Sequence, residues 1–250
     1  MIISERHQLI VLHCRKAAGS SLCVSLARML GPNDLQISAL AETMALGIPL
    51  SQRVRRIAWR QSRGLLPFFR LLGPRAHRRA LTRAVDHAHR SLLGRKPPHA
   101  PAARIAAAFP REWGSFRKLA IVRNPWDKTV SDYHWRIQRL RTPPSFAAYV
   151  EALVAGHDLG GVVPVAFHDN WPMYTIRDQV VADRVVLFEQ LQDGLEAFFR
   201  QVGLAWDGWL PRSKGGHRPP GGYRSHYTPE LERLVGRLYA HEIEQFAYRF

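Results

Sequence analysis

Apolar runs alternate along the chain with segments whose apolar residues recur at helical spacing. The runs QLIVLHC (Gln8 to Cys14), KLAIVR and DRVVLFEQL are typical of strands buried on both faces of a parallel sheet. Helical periodicity follows each run, first in SSLCVSLARML, where Leu22 and Leu26 fall on one face. This alternation predicts an α/β domain with a parallel central sheet.

Several boundaries of the predicted helices coincide with proline. Pro67 and Pro74 interrupt the helical pattern between residues 51 and 96, and Pro125 opens the helix that follows the second strand. The ending TPELERLVGRLYAHEIEQFAYRF predicts one amphipathic helix. The start MIISERHQLIVLHC predicts a buried strand and not a signal peptide, because Glu5 precedes the apolar run and no cationic segment opens it.

Composition narrows the class of protein. The chain has 250 residues, of which 46% are hydrophobic, enough for a single domain with one sizeable core. No run reaches the roughly 18 apolar residues of a membrane span. Only Cys14 and Cys23 occur, which excludes a disulfide framework. We therefore expect one cytoplasmic domain covering residues 1–250.

Positive charge is concentrated in one block. The net charge is +16, and residues 51–96 hold thirteen Lys or Arg against the single acid Asp86. We expect a basic, helical insertion at about 35–96 that suits an acidic glycan or an anionic lipid head group. Because Trp59, Leu65 and Phe68 alternate with arginines, contact with a membrane surface is a further expectation. A nucleic-acid-binding protein is an alternative, although no helix-turn-helix, zinc-finger or RNA-binding signature occurs.

The stretch VLHCRKAAGSSL joins the first strand to its helix and has the features of an anion-binding loop. Gly19 allows close backbone approach, Ser20 and Ser21 carry hydroxyl donors, and Lys16 carries a mobile charge. A Walker A loop has Lys directly after its second Gly, whereas Lys16 lies three residues before Gly19. The loop therefore departs from the Walker A pattern, which makes a P-loop kinase a weak interpretation of it. The loop could also be a plain connection between strand and helix that binds nothing.

The second strand leads into IVRNPWDKTVSDY. Arg123 stands at the carboxyl end of this strand, and Ser131 follows about two helical turns later. Ligands of α/β sheets bind outside the carboxyl ends of the strands. Arg123 and Ser131 could hold one phosphate while the first loop holds another, so the pair predicts a ligand with two separated phosphates.

These motifs resemble those of sulfotransferases that use 3′-phosphoadenosine 5′-phosphosulfate (PAPS), in the branch that includes carbohydrate sulfotransferases. HCRKAAGSSL is similar to the 5′-phosphosulfate loop H-x-P-K-x-A-G-[ST]-[ST]-L, and VRNPWDKTVS to the 3′-phosphate motif V-R-[ND]-P-x-x-R-x-x-S. Arg15 replaces the usual Pro and Lys128 the usual Arg. The resemblance implies a three-layer α/β/α, P-loop-NTPase-like fold and covers the chain except roughly residues 35–95.

The resemblance also implies roles for residues. Lys16 would stabilise the bridging oxygen as the sulfuryl bond breaks, without an obligatory metal. The cofactor-binding set implied by the resemblance is Arg15, Lys16, Gly19, Ser20 and Ser21 for the 5′-phosphosulfate, Arg123 and Ser131 for the 3′-phosphate, and Lys214 or Arg218 from a loop that closes over it.

The acceptor, a hydroxyl of a glycan or glycolipid, needs a base. In several carbohydrate sulfotransferases a His about two dozen residues before the 3′-phosphate Arg has this role, which implies His99, 24 residues before Arg123. His87 and His89 are alternatives, and His13 is expected to be structural. Glu189, after the third strand, is expected to brace the helix that follows it.

Overall fold

The computed structural model describes residues 1–211 and 222–250 and contains a five-stranded central sheet. Its strands are β1 Ile2–Ser4, β2 Leu9–Leu12, β3 Leu35–Gln36, β4 Arg117–Val122 and β7 Arg184–Leu187. They lie in the order β3–β1–β2–β4–β7, and a separate hairpin pairs β5 Thr175–Ile176 with β6 Gln179–Val180.

The direction of the strands corrects the prediction of a purely parallel sheet. Strands β2, β4 and β7 are parallel neighbours, but β1 is antiparallel to both β2 and β3. The N-terminal run is therefore a hairpin and not one strand. Its turn lies in the polar sequence SERHQ, where Gln8 has a φ of 49° and Ser4 donates a hydrogen bond to Asp34 at 2.7 Å.

Both faces of the sheet are covered. Successive residues of a strand point to opposite faces, and all four residues of β2 are buried, as are Leu119 to Val122 of β4. This continuous burial explains why both strands appear in the sequence as uninterrupted apolar runs. The α/β class predicted from the sequence is confirmed.

Thirteen helices lie in the described part of the chain. They are α1 Gly19–Ala27, α2 Leu40–Ala45, α3 Gln52–Gln61, α4 Leu66–Leu71, α5 Pro74–Leu93, α6 Ala102–Ala108, α7 Pro110–Ser115, α8 Pro125–Ile137, α9 Phe146–Ala155, α10 Trp171–Tyr174, α11 Leu191–Gln201, α12 Pro229–Leu238 and α13 Ala240–Gln245. The C-terminal segment is thus two helices and not the single one expected, because α12 ends at the buried Tyr239.

The basic block folds as three helices, α3 to α5, packed on the central core. Pro67 and Pro74 lie in the first turns of α4 and α5, where a missing N–H costs little. Val54, Leu81 and Val85 are buried in the same apolar cluster as the strands. A second cluster joins α8, α9 and α12. In the parts of the chain that are described, no helix combines the length and apolar character needed to cross a membrane.

Candidate functional site

The loop between β2 and α1 lies at the carboxyl end of the sheet. Lys16 and Ala18 both have a φ of 58°, so the chain turns sharply before α1 begins at Gly19. Ala18 has no side-chain oxygen to cap the helix, and Ser20 and Ser21 follow in its first turn. The first amide groups of this nine-residue helix are donors of the kind that binds an anion, with Ser20 and Ser21 in the same turn and Lys16 three residues before it in the sequence.

Gly19 is required by a contact that the sequence did not indicate. A Cβ atom on residue 19 would lie 2.1 Å from Cδ2 and 2.6 Å from Nε2 of His13. The His13 ring is buried, and its Nδ1 is hydrogen-bonded to the Ser38 hydroxyl. The close approach at Gly19 is thus made by the protein's own imidazole.

We expect Gly19→Ala to destabilise the protein. In a helix interior, alanine is more favourable than glycine by about 1 kcal/mol of helix propensity. Forcing the alanine methyl group against a buried ring, however, costs about 1–3 kcal/mol or more of stability. The contact is far below 3.0 Å, so the second effect should be the larger one. Urea unfolding should show a lower midpoint for the variant.

The control is the same substitution in a His13→Ala background. With the ring removed, Gly19→Ala should be neutral or stabilising because only the helix preference remains. An equal loss of stability in both backgrounds would contradict the role given to His13.

His99 borders the same loop. It ends a short 3₁₀ turn, Pro97–His99, and its Nδ1 lies 2.9 Å from the His13 carbonyl oxygen. The two imidazole rings are 4.6 Å apart between centroids. Because a carbonyl only accepts, this bond puts a proton on Nδ1, and Nε2 of the neutral ring then carries the lone pair. A half-buried His in this tautomer suits proton abstraction.

The two alternative histidines lie on α5. His87 is exposed and pairs through Nδ1 with the Gln61 side-chain amide at 2.6 Å. His89 is buried, donates to the Val85 carbonyl at 2.8 Å, and has its pKa lowered by burial. His87 and His89 thus form hydrogen bonds within the basic helices, whereas Nδ1 of His99 is bonded to the anion-binding loop.

Arg123 connects the second motif to the first. Its Nη1 donates to the Lys16 carbonyl oxygen at 3.1 Å, while Nε and Nη2 lie 2.8 and 2.7 Å from Oδ2 of Asp127. The guanidinium also covers the Phe188 ring, 4.1 Å from its centroid. A guanidinium has five N–H donors, and these contacts use three of them. Ser131 lies one turn beyond Asp127 on the same face of α8.

Arg15 holds the loop against α8. Its Nη2 lies 2.9 Å from Oδ1 of Asp132, and its Nη1 donates to the Phe167 carbonyl. The Asn170 amide accepts from the Arg15 backbone N–H at 2.8 Å and donates to its carbonyl at 3.0 Å. The two bonds to Asn170 fix the backbone of the loop, and the guanidinium contacts fix the Arg15 side chain, so Arg15 has a positioning role. The direct cofactor contact expected of Arg15 stays a prediction.

Asp132 is the carboxylate around which the cationic side chains on this side of the site are arranged. Its carboxylate also lies 3.2 Å from Arg136 and accepts from the Tyr149 hydroxyl at 3.1 Å. Burial alone would raise the pKa of Asp132, but Arg15, Arg136 and Lys16 together hold that pKa below its ordinary value. The carboxylate is therefore ionised and bound within a cationic group of side chains.

Sequence reasoning missed four residues that surround Lys16 and Arg15. Trp135 lies beneath the Lys16 ammonium, 5.4 Å from Nζ to the ring centroid. Asp132, His168 and Tyr239 line a cleft together with Lys16, Arg15 and neighbouring side chains. Burial lowers the pKa of His168. No local pattern marks these positions, because they come to the loop from three distant segments of the chain.

Glu189 has a different role from the expected one. Its Oε1 accepts the backbone N–H of Asn124 at 2.7 Å, and so it braces the turn between β4 and α8. Asn124 in turn caps α8 by accepting from Trp126 and Asp127. Lys214 and Arg218, the two candidates for the closing loop, lie outside the described residues.

No protein-family model, curated protein or solved structure matches this chain.

Proposed function

We propose that the protein is a sulfotransferase that moves the sulfuryl group of PAPS to a hydroxyl of a glycan or glycolipid. The observation that carries this proposal is the contact between Arg123 and Lys16, which joins the two predicted phosphate motifs at 3.1 Å. Strands β2 and β4 are parallel neighbours, so the loops after them lie at one edge of the sheet. The P-loop-like sulfotransferase fold belongs to the same proposal.

The chemistry of the donor groups fits a nucleotide with two phosphates. The 5′-phosphosulfate would lie at the N-terminus of α1, near Ser20, Ser21 and Lys16. The 3′-phosphate would take up donors of Arg123 that Asp127 and the loop carbonyl do not use, with Ser131 on the same helix face. PAPS would supply the activated sulfuryl group and a phosphate leaving group.

Residues of this chain then have three tasks. His99 accepts the proton of the acceptor hydroxyl at Nε2 as the hydroxyl oxygen bonds to sulfur. Lys16 stabilises the charge that develops on the bridging oxygen as its bond to sulfur breaks. Arg15, through Asp132 and Asn170, keeps the loop in the geometry that in-line attack requires.

We propose a cytoplasmic location, because Cys14 and Cys23 are both buried as thiols.

Calorimetry with adenosine 3′,5′-bisphosphate tests the nucleotide site. We expect the wild type to bind it, and Lys16→Ala to bind at least tenfold more weakly, because an ammonium–phosphate contact is worth about 1.5–3 kcal/mol. Lys96→Ala removes the same charge from the basic block and should change the affinity less than twofold. Absent binding, or an unchanged affinity in Lys16→Ala, would refute the site.

The same titrations separate the alternatives. Tight binding of ATP with weak binding of adenosine 3′,5′-bisphosphate would favour a P-loop kinase. A screen of glycan and glycolipid acceptors with labelled PAPS would then identify the hydroxyl that receives the sulfuryl group.

A further inference from the structure

Helix α4 and its flanks present a row of large apolar side chains to solvent. Leu65, Phe68, Leu71 and Leu72 are 57%, 56%, 86% and 60% exposed, and Trp59 at the end of α3 is 52% exposed. We name these five residues the α4 surface. Leu65, Phe68 and Leu72 recur at helical spacing and so share one face of α4, and the Trp59 ring would lie 3.5 Å from a Cβ at Gly64, next to Leu65. Single exposed apolar residues are common, but a group of this size marks a contact surface.

This exposure does not come from a loosely attached segment. Leu66 points the other way into the central core and is 6% exposed. The Leu66 carbonyl oxygen accepts from Nδ1 of His77 on α5 at 3.3 Å, and the rings of Phe68 and Phe69 pack edge to face, 5.8 Å apart. The helix is thus fixed on one side while its opposite side remains apolar and open.

Positive charge surrounds the α4 surface. Arg63, Arg70, Arg75 and Arg79 are all exposed within eight residues of it in the sequence. They belong to the block 51–96, in which thirteen basic residues stand against one acid. Apolar side chains that enter the acyl boundary and arginines that meet anionic head groups are the two components of interfacial binding.

We propose that the α4 surface docks the protein on the surface of an anionic lipid bilayer. A second copy of the chain is a poor occupant, because two blocks of charge +12 would face each other. A nucleic acid would pair with the arginines but would leave the leucines against phosphates and sugars. Only an anionic bilayer complements both the charge and the apolar row.

Docking is separate from the candidate active site. Helix α5 separates α4 from the turn that holds His99. The Leu66 carbonyl of α4 meets His77 near the start of α5, and the helix ends sixteen residues later at Leu93, about 24 Å away along its axis. The inference therefore does not rest on sulfuryl transfer, and variants of the α4 surface should leave nucleotide binding unchanged.

Vesicle flotation of the full chain tests the proposal. We expect at least tenfold stronger partitioning to phosphatidylcholine vesicles with 30 mol% phosphatidylglycerol than to phosphatidylcholine alone. Phe68→Ser/Leu71→Ser should lower this partitioning at least tenfold, and Arg70→Gln/Arg75→Gln should lower it and weaken its salt dependence.

Leu140→Ser is the matched control, because Leu140 is an exposed leucine outside the α4 surface and should leave partitioning unchanged. An unfolding midpoint equal to that of the wild type shows that Phe68→Ser/Leu71→Ser, called the double variant below, is folded. Equal partitioning to both kinds of vesicle, or wild-type partitioning of the double variant, would overturn the proposal. The proposal would also be overturned if the double variant still partitioned to vesicles but lost binding to duplex DNA or lost self-association, because the α4 surface would then bind a nucleic acid or a second copy of the chain.

Discussion

Replacing Lys128 with Met is expected to lower the free energy of unfolding by about 3–5 kcal/mol, the usual cost of leaving one charge of a buried pair without its partner. Nζ of Lys128 lies 3.0 Å from Oε2 of Glu242, and the two side chains are 4% and 2% exposed. The ammonium also lies over the Tyr239 ring, 3.8 Å from its centroid. The pair joins α8 to α13, so its loss also loosens the C-terminal segment.

One neutral hydrogen bond does not replace the lost charge. The Tyr174 hydroxyl donates to Oε1 of Glu242 at 2.8 Å and would remain in Lys128→Met. A single hydroxyl contributes about 1 kcal/mol, less than the cost of burying a carboxylate. Removing the carboxylate as well should recover most of the loss, so Lys128→Met/Glu242→Leu is expected to be more stable than Lys128→Met.

Urea unfolding followed by circular dichroism measures these differences. The control is Arg111→Met, which breaks an ion pair with Glu112 at 3.7 Å whose arginine is 78% exposed. An exposed pair contributes less than about 1 kcal/mol. If Lys128→Met costs no more than Arg111→Met, or if the double variant is no better than the single one, the account of the buried pair is wrong.

Lys128 illustrates which features could be predicted from the sequence and which could not. Its place in the second motif was predictable, and so was α8 around it, because Pro125 and the helical spacing are local signals. The same holds for β4 and for the helices that begin near Pro67 and Pro74. Its partner was not predictable, since Glu242 lies 114 residues further along the chain.

Other contacts that the sequence did not predict also join residues that are far apart in the chain. Asn170 clamps the Arg15 peptide from 155 residues away, and Glu189 braces Asn124 from 65 residues away. Asp34 accepts from Ser4 beside the turn of the N-terminal hairpin, from 30 residues away. Such contacts are set by tertiary packing, and local periodicity carries no information about them. In the site, spacing therefore indicated the two motifs but not the side chains that position them.

His99→Ala is expected to reduce sulfuryl transfer by about 10²–10⁴-fold, the usual contribution of a general base. Binding of adenosine 3′,5′-bisphosphate should change less than twofold. The reason is geometric: Nδ1 of His99 is hydrogen-bonded to the His13 carbonyl oxygen at 2.9 Å, so we expect Nε2 to be the ring nitrogen that accepts the proton. Single-turnover transfer from labelled PAPS and calorimetry of the product nucleotide measure the two quantities separately.

A second substitution distinguishes proton transfer from positioning. The side-chain amide of His99→Asn can still donate to the His13 carbonyl, but it cannot accept a proton at neutral pH. We therefore expect His99→Asn to lose transfer as His99→Ala does. His87→Ala, which removes an exposed imidazole from α5, should retain full transfer. If His99→Asn restored turnover close to that of the wild type, His99 would act by holding the His13 end of the loop, and the base would have to be sought elsewhere, first at His168 in the cleft beside Lys16.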